Sequence, residues 1–286
     1  MDADSAPERG RFSLWRSDLV RGLDAERARE LSERTIELRG RSEDEVATRT
    51  AYLDLLGIAP GERVLDVGCG SGVVLRDVAR RIAPDGTAVG VDFSPAMLEV
   101  ARRLARDEGL GELVELREGD ARALPFGDGE FDAALAVTTL VHVPDAERAV
   151  PELARVVRPG GRIGVLDRDN DSYIIAHPDR ALTRRIVAAG AEHTTVNPWI
   201  GRQLPGLFAA AGLRDVRVRG FVSLERDPAG FYATNAGERW ADVAVKVGAI
   251  TDAQRRRWTD QLHAVQAAGG FVAGLTHLFV WAVRPE

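Results

Sequence analysis

The sequence predicts an α/β fold: a doubly wound, seven-stranded and mostly parallel sheet, with a helical cap at the N-terminus and a helical insertion before the last strand. Three observations carry this. Short apolar runs at 64–67, 86–92, 114–116 and 131–137 read as strands buried on both faces. Helical starts follow them, at Val73, at Ser94-Pro95 and at Pro144-Asp145, so strand and helix alternate as a parallel sheet requires. The first run also passes into its helix through three closely spaced glycines, which leaves bare backbone for a ligand to lie against.

That turn reads Val64-Leu65-Asp66-Val67-Gly68-Cys69-Gly70-Ser71-Gly72. Dinucleotide folds use G-x-G-x-x-G and seat a pyrophosphate at the helix N-terminus. Here the spacing is G-x-G-x-G, Val73 stands where the third glycine would be, and Asp66 would repel a phosphate. A zwitterionic, phosphate-free ligand fits better. The stretch resembles motif I of the class I S-adenosylmethionine (SAM) methyltransferases, (V/I)LD(V/I)GCGxG, at every position. The plainer alternative is a tight strand-to-helix turn with no ligand.

The 286 residues are 45% hydrophobic and 29% charged, the make-up of an ordinary globular domain with ample core. No apolar run approaches the roughly 20 residues that cross a bilayer. The N-terminus, MDADSAPERGRF, lacks the apolar stretch of a signal peptide, which places the protein in the cytoplasm. A net charge of -6 gives no general attraction to nucleic acid or anionic lipid. The expected partner is therefore a small molecule, with no nucleic acid and no membrane, and a homodimer is compatible with the sequence. The lone Cys69 excludes an internal disulfide and a cysteine-built metal cage.

Residues 1–10 read as a disordered tail. Residues 11–57 read as the helical cap, with Trp15, Leu19 and Leu23, then Leu31 and Ile36, then Val46, Tyr52 and Leu53 at helical spacing, before Gly57 and Pro60-Gly61 end it. Residues 58–170 hold the core. Its second strand ends at Asp92, about 20 residues beyond the glycines, where a carboxylate accepting ribose hydroxyls belongs. Ser94 caps the next helix with Pro95 at its first position. Phe93 and Met97 would flank an adenine, core packing being the other reading of Met97. The third strand leads into Glu118-Gly119-Asp120-Ala121-Arg122-Ala123-Leu124-Pro125-Phe126, which resembles the family's GDAxxLPF segment. The fourth strand is followed by Leu140, His142 and Asp145, and Arg158-Pro159-Gly160-Gly161 leads to a fifth at 162–167. Four spaced motifs in the family's order thus cover 64–167. In general the chain is similar to the quinone-biosynthesis and natural-product members (methyltransferase type 11), which implies a Rossmann-like fold. Residues 171–286 are read as substrate-facing insertions that complete the sheet. The polar stretch 167–199 carries Tyr173, His177, His193 and Trp199, a helix spans 204–211 and a sixth strand 213–224. Two helices within 228–268 place Phe231, Tyr232, Trp240, Val243 and Val247 on an apolar face, as a roof over the pocket or as a structural stripe, and a last strand spans 275–284.

The resemblance implies SAM as cofactor, with S-adenosylhomocysteine (SAH) as its product. It implies contacts from Asp66, Gly68, Cys69, Gly70 and Gly72 at the turn, and from Asp92, Phe93 and Met97 after the second strand. Asp120 would accept from the adenine amino group while the Ala121 N–H donates to the ring, beside Arg122; Val137, Thr138 and His142 would contribute from the fourth strand. From the cap it implies Arg49, with Trp15 and Tyr52, which read equally well as surface charge and core. The implied activity is methyl transfer to a small-molecule acceptor, secondary-metabolite or quinone-like, by in-line displacement, so that alignment is the enzyme's main task. A hydroxyl nucleophile would need a base, and His142 is the first candidate, its other role being to shape the pocket. Asp167, Asp169, Asn170 and Asp171 invite a Mg²⁺ reading. Catechol-type methyltransferases, however, place an acid where Val137 and Thr138 stand, so no metal is expected. Thr138-Thr139-Leu140 also replaces the NPPY-type tetrad of amino-methylating DNA and protein enzymes, which favours a small acceptor. O-, N- and C-methylation stay open, as does a protein of the same fold that uses SAM or SAH for cyclisation or as a binding module.

Overall fold

The computed structural model describes residues 12–13, 17–226 and 237–286; the 1–10 tail, Trp15, Phe231 and Tyr232 lie outside the described residues. Strands β1 (Arg63–Val67), β2 (Thr87–Asp92), β3 (Val114–Glu118), β4 (Phe131–Val137), β5 (Val157–Ile175), β6 (Arg214–Glu225) and β7 (Ala273–Val283) form one sheet. Their order is β3-β2-β1-β4-β5-β7-β6. β7 runs antiparallel to β5 and β6, and the other pairs are parallel. The chain steps from β1 to β2 on one side and later to β4 on the other. A crevice therefore opens at the carboxyl ends of these strands, where open α/β sheets bind ligands.

Alternation along the central strands divides the interior in two. Leu65, Val67, Val89 and Val91 pack with α7 (Ala149–Val156) and α9 (Ile200–Ala210), through Val150, Leu153, Leu204 and Phe208. Val64, Ala88, Ala133 and Leu135 face the other way, onto α4 (Glu43–Leu56) and α5 (Val73–Ile82), through Tyr52, Leu53, Leu75 and Val78. Both faces are covered, which is why these strands read as unbroken apolar runs. Helix α6 (Pro95–Asp107) starts as expected, with the Met97 N–H donating to the Ser94 hydroxyl.

The cap is helical, as its spacing predicts, but not uniformly so. α1 (Ser17–Arg21) and α2 (Ala25–Leu31) run into a π-helical segment, Ser32–Glu37, then α3 (Leu38–Gly40) and α4. The region 167–199 departs from the expected polar insertion. β5 continues through it to Ile175 because β7 supplies a partner as far as that residue, and α8 (Arg180–Thr194) follows, capped by the Asp179 carboxylate.

The two helices before the last strand, α10 (Gly237–Lys246) and α11 (Asp252–Ala267), exist as predicted, yet do not roof the crevice. With α8 they enclose a second core, in which Trp240 stands edge-on to Tyr173 at 4.6 Å and Trp258 is completely buried. Trp240 and Val247 thus belong to that core, and Val243 is buried outside it. Among the described residues, no helix is long and apolar enough to cross a membrane.

Candidate functional site

The crevice is a cavity of about 460 Å³, a size that suits a small molecule. The glycine turn forms one wall. Gly68 and Gly70 have φ of +72° and +53°, in the left-handed region. At Gly68 a Cβ would stand 2.4 Å from the Thr139 side chain, so only glycine fits. The N–H groups of Gly68 and Cys69 donate to the Val91 carbonyl at 2.7 and 3.0 Å. The Gly70 N–H donates to Asp92 Oδ2 at 3.0 Å, and Asp92 Oδ1 accepts from the Ser94 N–H at 2.9 Å. Asp92 therefore clamps the turn as well as lining the cavity. Burial raises its carboxyl above the usual range, against the pull of these backbone donors.

The cap closes over the turn with Val20, Arg21, Thr35, Ile36 and Arg39. It is fastened by a buried network. Glu37 accepts from the Ser71 hydroxyl at 2.7 Å and from Arg76 at 2.8 Å, and Arg76 also donates to the Ser71 carbonyl at 2.8 Å. The Ser94 hydroxyl donates to the Val20 carbonyl at 3.0 Å.

At the far end of the same wall lie Gly119, Asp120, Ala121 and Arg122. Arg122 folds back onto Asp120, with its backbone N–H and Nε at 2.9 and 3.0 Å from Oδ1 and a terminal nitrogen at 2.7 Å from Oδ2. Those bonds hold the Asp120 carboxyl below its usual range. Opposite, the carboxyl end of β4 contributes Val137, Thr138, Thr139 and His142. Thr138 is held at φ +51°, a strained backbone for a β-branched residue. The turn carrying His142 is pinned by Asn197, which donates to the carbonyls of Leu140 and Val143 at 2.8 and 2.6 Å, and by Asp167 Oδ2, which accepts from the Val141 N–H at 3.0 Å. Burial, then the Arg168 and Arg39 guanidinium groups, push His142 well below the ordinary histidine range. It is neutral.

The structure gathers Gly68, Cys69, Gly70, Asp92, Phe93, Met97, Asp120, Ala121, Arg122, Val137, Thr138 and His142 around this cavity. Four expected residues lie elsewhere. Arg49 does not reach the cavity, because it is buried and held by Asp77 of α5 and the Gly40 carbonyl. Gly72 turns toward Ala101 and Arg76 as the start of α5. Asp66 sits beside the turn at 2% exposure, its Oδ2 without a hydrogen-bond partner among the described residues, and burial followed by repulsion from Asp92 raises it to about 7. Tyr52 is core against Phe279. The carboxylates weighed for Mg²⁺ are otherwise engaged: Asp169 and Asp171 face Arg202, and Asp167 takes backbone donors. His177 is stacked on Trp258 and bonded at both ring nitrogens. The sequence motifs do not single out Arg39, Arg168 or Asn197; for Arg168 the signal is its place directly after the 162–167 run, which the structure extends to Ile175.

Residues 64–161 match a family profile described as a methyltransferase domain. This segment is a methyltransferase domain of the class I SAM-dependent kind. An uncharacterized 37.1 kDa protein in a transposon of Streptomyces fradiae is 37% identical over 228 residues, 80% of this chain and 64% of that protein. A demethylmenaquinone methyltransferase of Lactobacillus johnsonii is 34% identical over 119 residues, 42% of this chain and 49% of that enzyme. The chain therefore spans less than two thirds of either curated relative. The crystal structure of the YcgJ protein from Bacillus subtilis shares the fold, with a TM-score of 0.58 at 20% identity over 84% of this chain and 99% of that one. The methyltransferase profile covers β1 to the start of β5, the segment that builds the glycine turn, Asp92, Asp120 and His142.

Proposed function

We propose that the protein is a SAM-dependent methyltransferase that acts on a small-molecule acceptor, secondary-metabolite or quinone-like, by in-line displacement. The observation that supports this best is the meeting, in one cavity, of the glycine turn, the Asp92 clamp, the Asp120–Arg122 segment and His142. The residues suit the cofactor. The turn offers bare backbone where a Cβ would be strained, and the buried carboxylates of Asp66 and Asp92 beside it oppose a phosphate and favour a cation. The relative named as a demethylmenaquinone methyltransferase lends weight to a quinone-like acceptor only over the segment it matches.

Bound SAM supplies a methyl group already activated on a sulfonium centre. The chain's own residues then bind, align and exclude water. Asp92 and the Asp120–Ala121 segment offer acceptors and an N–H to an adenosyl group, and Phe93 and Met97 offer apolar surface. The cap side chains Thr35, Ile36 and Arg39 shield the interior from solvent. Neutral His142 at the β4 end is the proton acceptor for a hydroxyl acceptor.

Calorimetric titration of the full chain with SAM, SAH and NAD tests the reading, followed by an acceptor screen that reads the mass of an added methyl group. Binding of both adenosyl ligands but not of NAD, and a methylated product, are expected. Absence of adenosyl binding overturns the proposal; binding with no methylated product from any acceptor moves the protein to the non-methylating role.

A further inference from the structure

The end of the cavity beyond His142 carries an arginine that makes no ion pair among the described residues, Asp167 and Glu45 acting on it only from a distance. Arg168 lines the cavity from β5 and is half-buried, and its Nε is enclosed with no acceptor among the described residues. No carboxylate among those residues lies within ion-pair distance of its guanidinium. Asp167, next in sequence, spends its two oxygens on the N–H groups of Val141 and Arg168 itself, and Asp169 is taken by Arg202. The second cation here, Arg39 of the cap, pairs among the described residues with Glu45 at 3.7 Å. The remaining neighbours carry no charge: Tyr173 is raised to about 12, His277 is lowered to about 3 and His142 falls well below its ordinary value, all three first by burial.

Burial and then Arg39 act against the charged guanidinium, and Asp167 and Glu45 favour it without reaching ion-pair distance, so an anion delivered to it is stabilising. Its planar donors match a carboxylate or phosphate. The place matters as much as the charge. In the sheet order, β4 separates β5 from β1, so Arg168 stands roughly 10 Å across the sheet from the glycine turn and on the far side of the His142 segment. That is the side left for an acceptor once the turn, Asp92 and Asp120 hold the adenosyl group.

We propose that the acceptor is an acidic small molecule, and that Arg168, with Arg39 at the cap, holds its carboxylate or phosphate and so turns its reactive atom toward the β4 end. This deepens the methyltransferase reading and rests on it. It also gives the acceptor a part in its own activation. The two guanidinium groups depress His142, so an anion placed on them relieves that repulsion and strengthens His142 as a base at the moment the acceptor is bound.

The test is calorimetric titration of the full chain saturated with SAH, using 4-hydroxybenzoate and phenyl phosphate as probes and neutral 4-hydroxybenzamide as control. At least one anion is expected to bind about 10- to 100-fold more tightly than the amide, the stronger of the two naming the group. Arg168→Met should abolish that preference and leave SAH affinity unchanged, which also certifies the fold, while Arg168→Lys should keep part of it. Equal binding of anions and amide overturns the proposal. So does a loss of SAH affinity in Arg168→Met, which would give the guanidinium to the cofactor. A wild-type chain that binds no SAH strikes instead at the methyltransferase reading, and this inference falls with it.

Discussion

His142 is kept neutral by burial and by two guanidinium groups, so it can take a proton but holds it weakly. For an acceptor hydroxyl, His142→Ala is expected to lower kcat by roughly 10²- to 10⁴-fold with SAH affinity unchanged. Steady-state kinetics beside an SAH titration reads this, and full turnover would return the residue to shaping the pocket. Asp66 makes a different prediction. Its carboxyl rises from 3.8 to about 7 on folding, through burial and then repulsion from Asp92. The unfolded chain thus loses this proton near pH 4 and the folded chain near pH 7. The contribution to stability is complete below the lower value and is lost as pH climbs to the higher one. Asp167, raised to about 6, acts in the same direction. Urea unfolding across this window should show stability falling with pH, and Asp66→Asn should flatten the fall without removing it. Equal slopes in the two proteins would show that Asp66 is ionised throughout.

At the scale of elements, the cap and the glycine turn share one buried charge pair. Glu37 ends the π-helical segment and Arg76 lies in the first turn of α5, both at 5% exposure, with Ser71 of the turn bonded to each. Arg76 also pairs with Glu108 at 2.9 Å, so it is removal of Arg76 that leaves its partner Glu37 charged and buried, which costs about 3–5 kcal/mol. Arg76→Met is expected to lose stability of that order in denaturant and to weaken SAH binding as well, because the turn loses its anchor. Glu37→Gln keeps a hydrogen-bonding side chain beside Ser71 and should cost less. A variant Arg76→Met that unfolds easily yet binds SAH normally would show that the cap and the turn are independent.

In the whole molecule, two cores serve different ends. The first positions the cavity between the sheet and the cap. The second, around Trp258, joins α8, α10 and α11, with the indole N–H donating to Thr183 at 3.0 Å. Trp258→Ala should destabilise the fold by about 3–5 kcal/mol and leave SAH affinity intact in the folded protein, since no residue of α10 or α11 lines the cavity. A loss of SAH affinity in the folded variant would bring that core back to the site. This division was not legible beforehand, because an apolar stripe such as Trp240 and Val243 states only that a helix face is covered and not by what. The sequence by itself determined the strand–turn–helix at 64–75, the end of β2 at Asp92 and the β4 end at His142. These are local matters, decided by backbone shapes that only glycine adopts, by capping and by apolar runs short enough to be strands. Only the tertiary structure decided that Arg49 pairs with Asp77 of α5, that Tyr52 is core, and that Arg39 and Arg168, well over a hundred residues apart, converge on His142. Which charges meet depends on strand order, register and the seating of the cap, and those follow from packing among distant segments that no local pattern encodes.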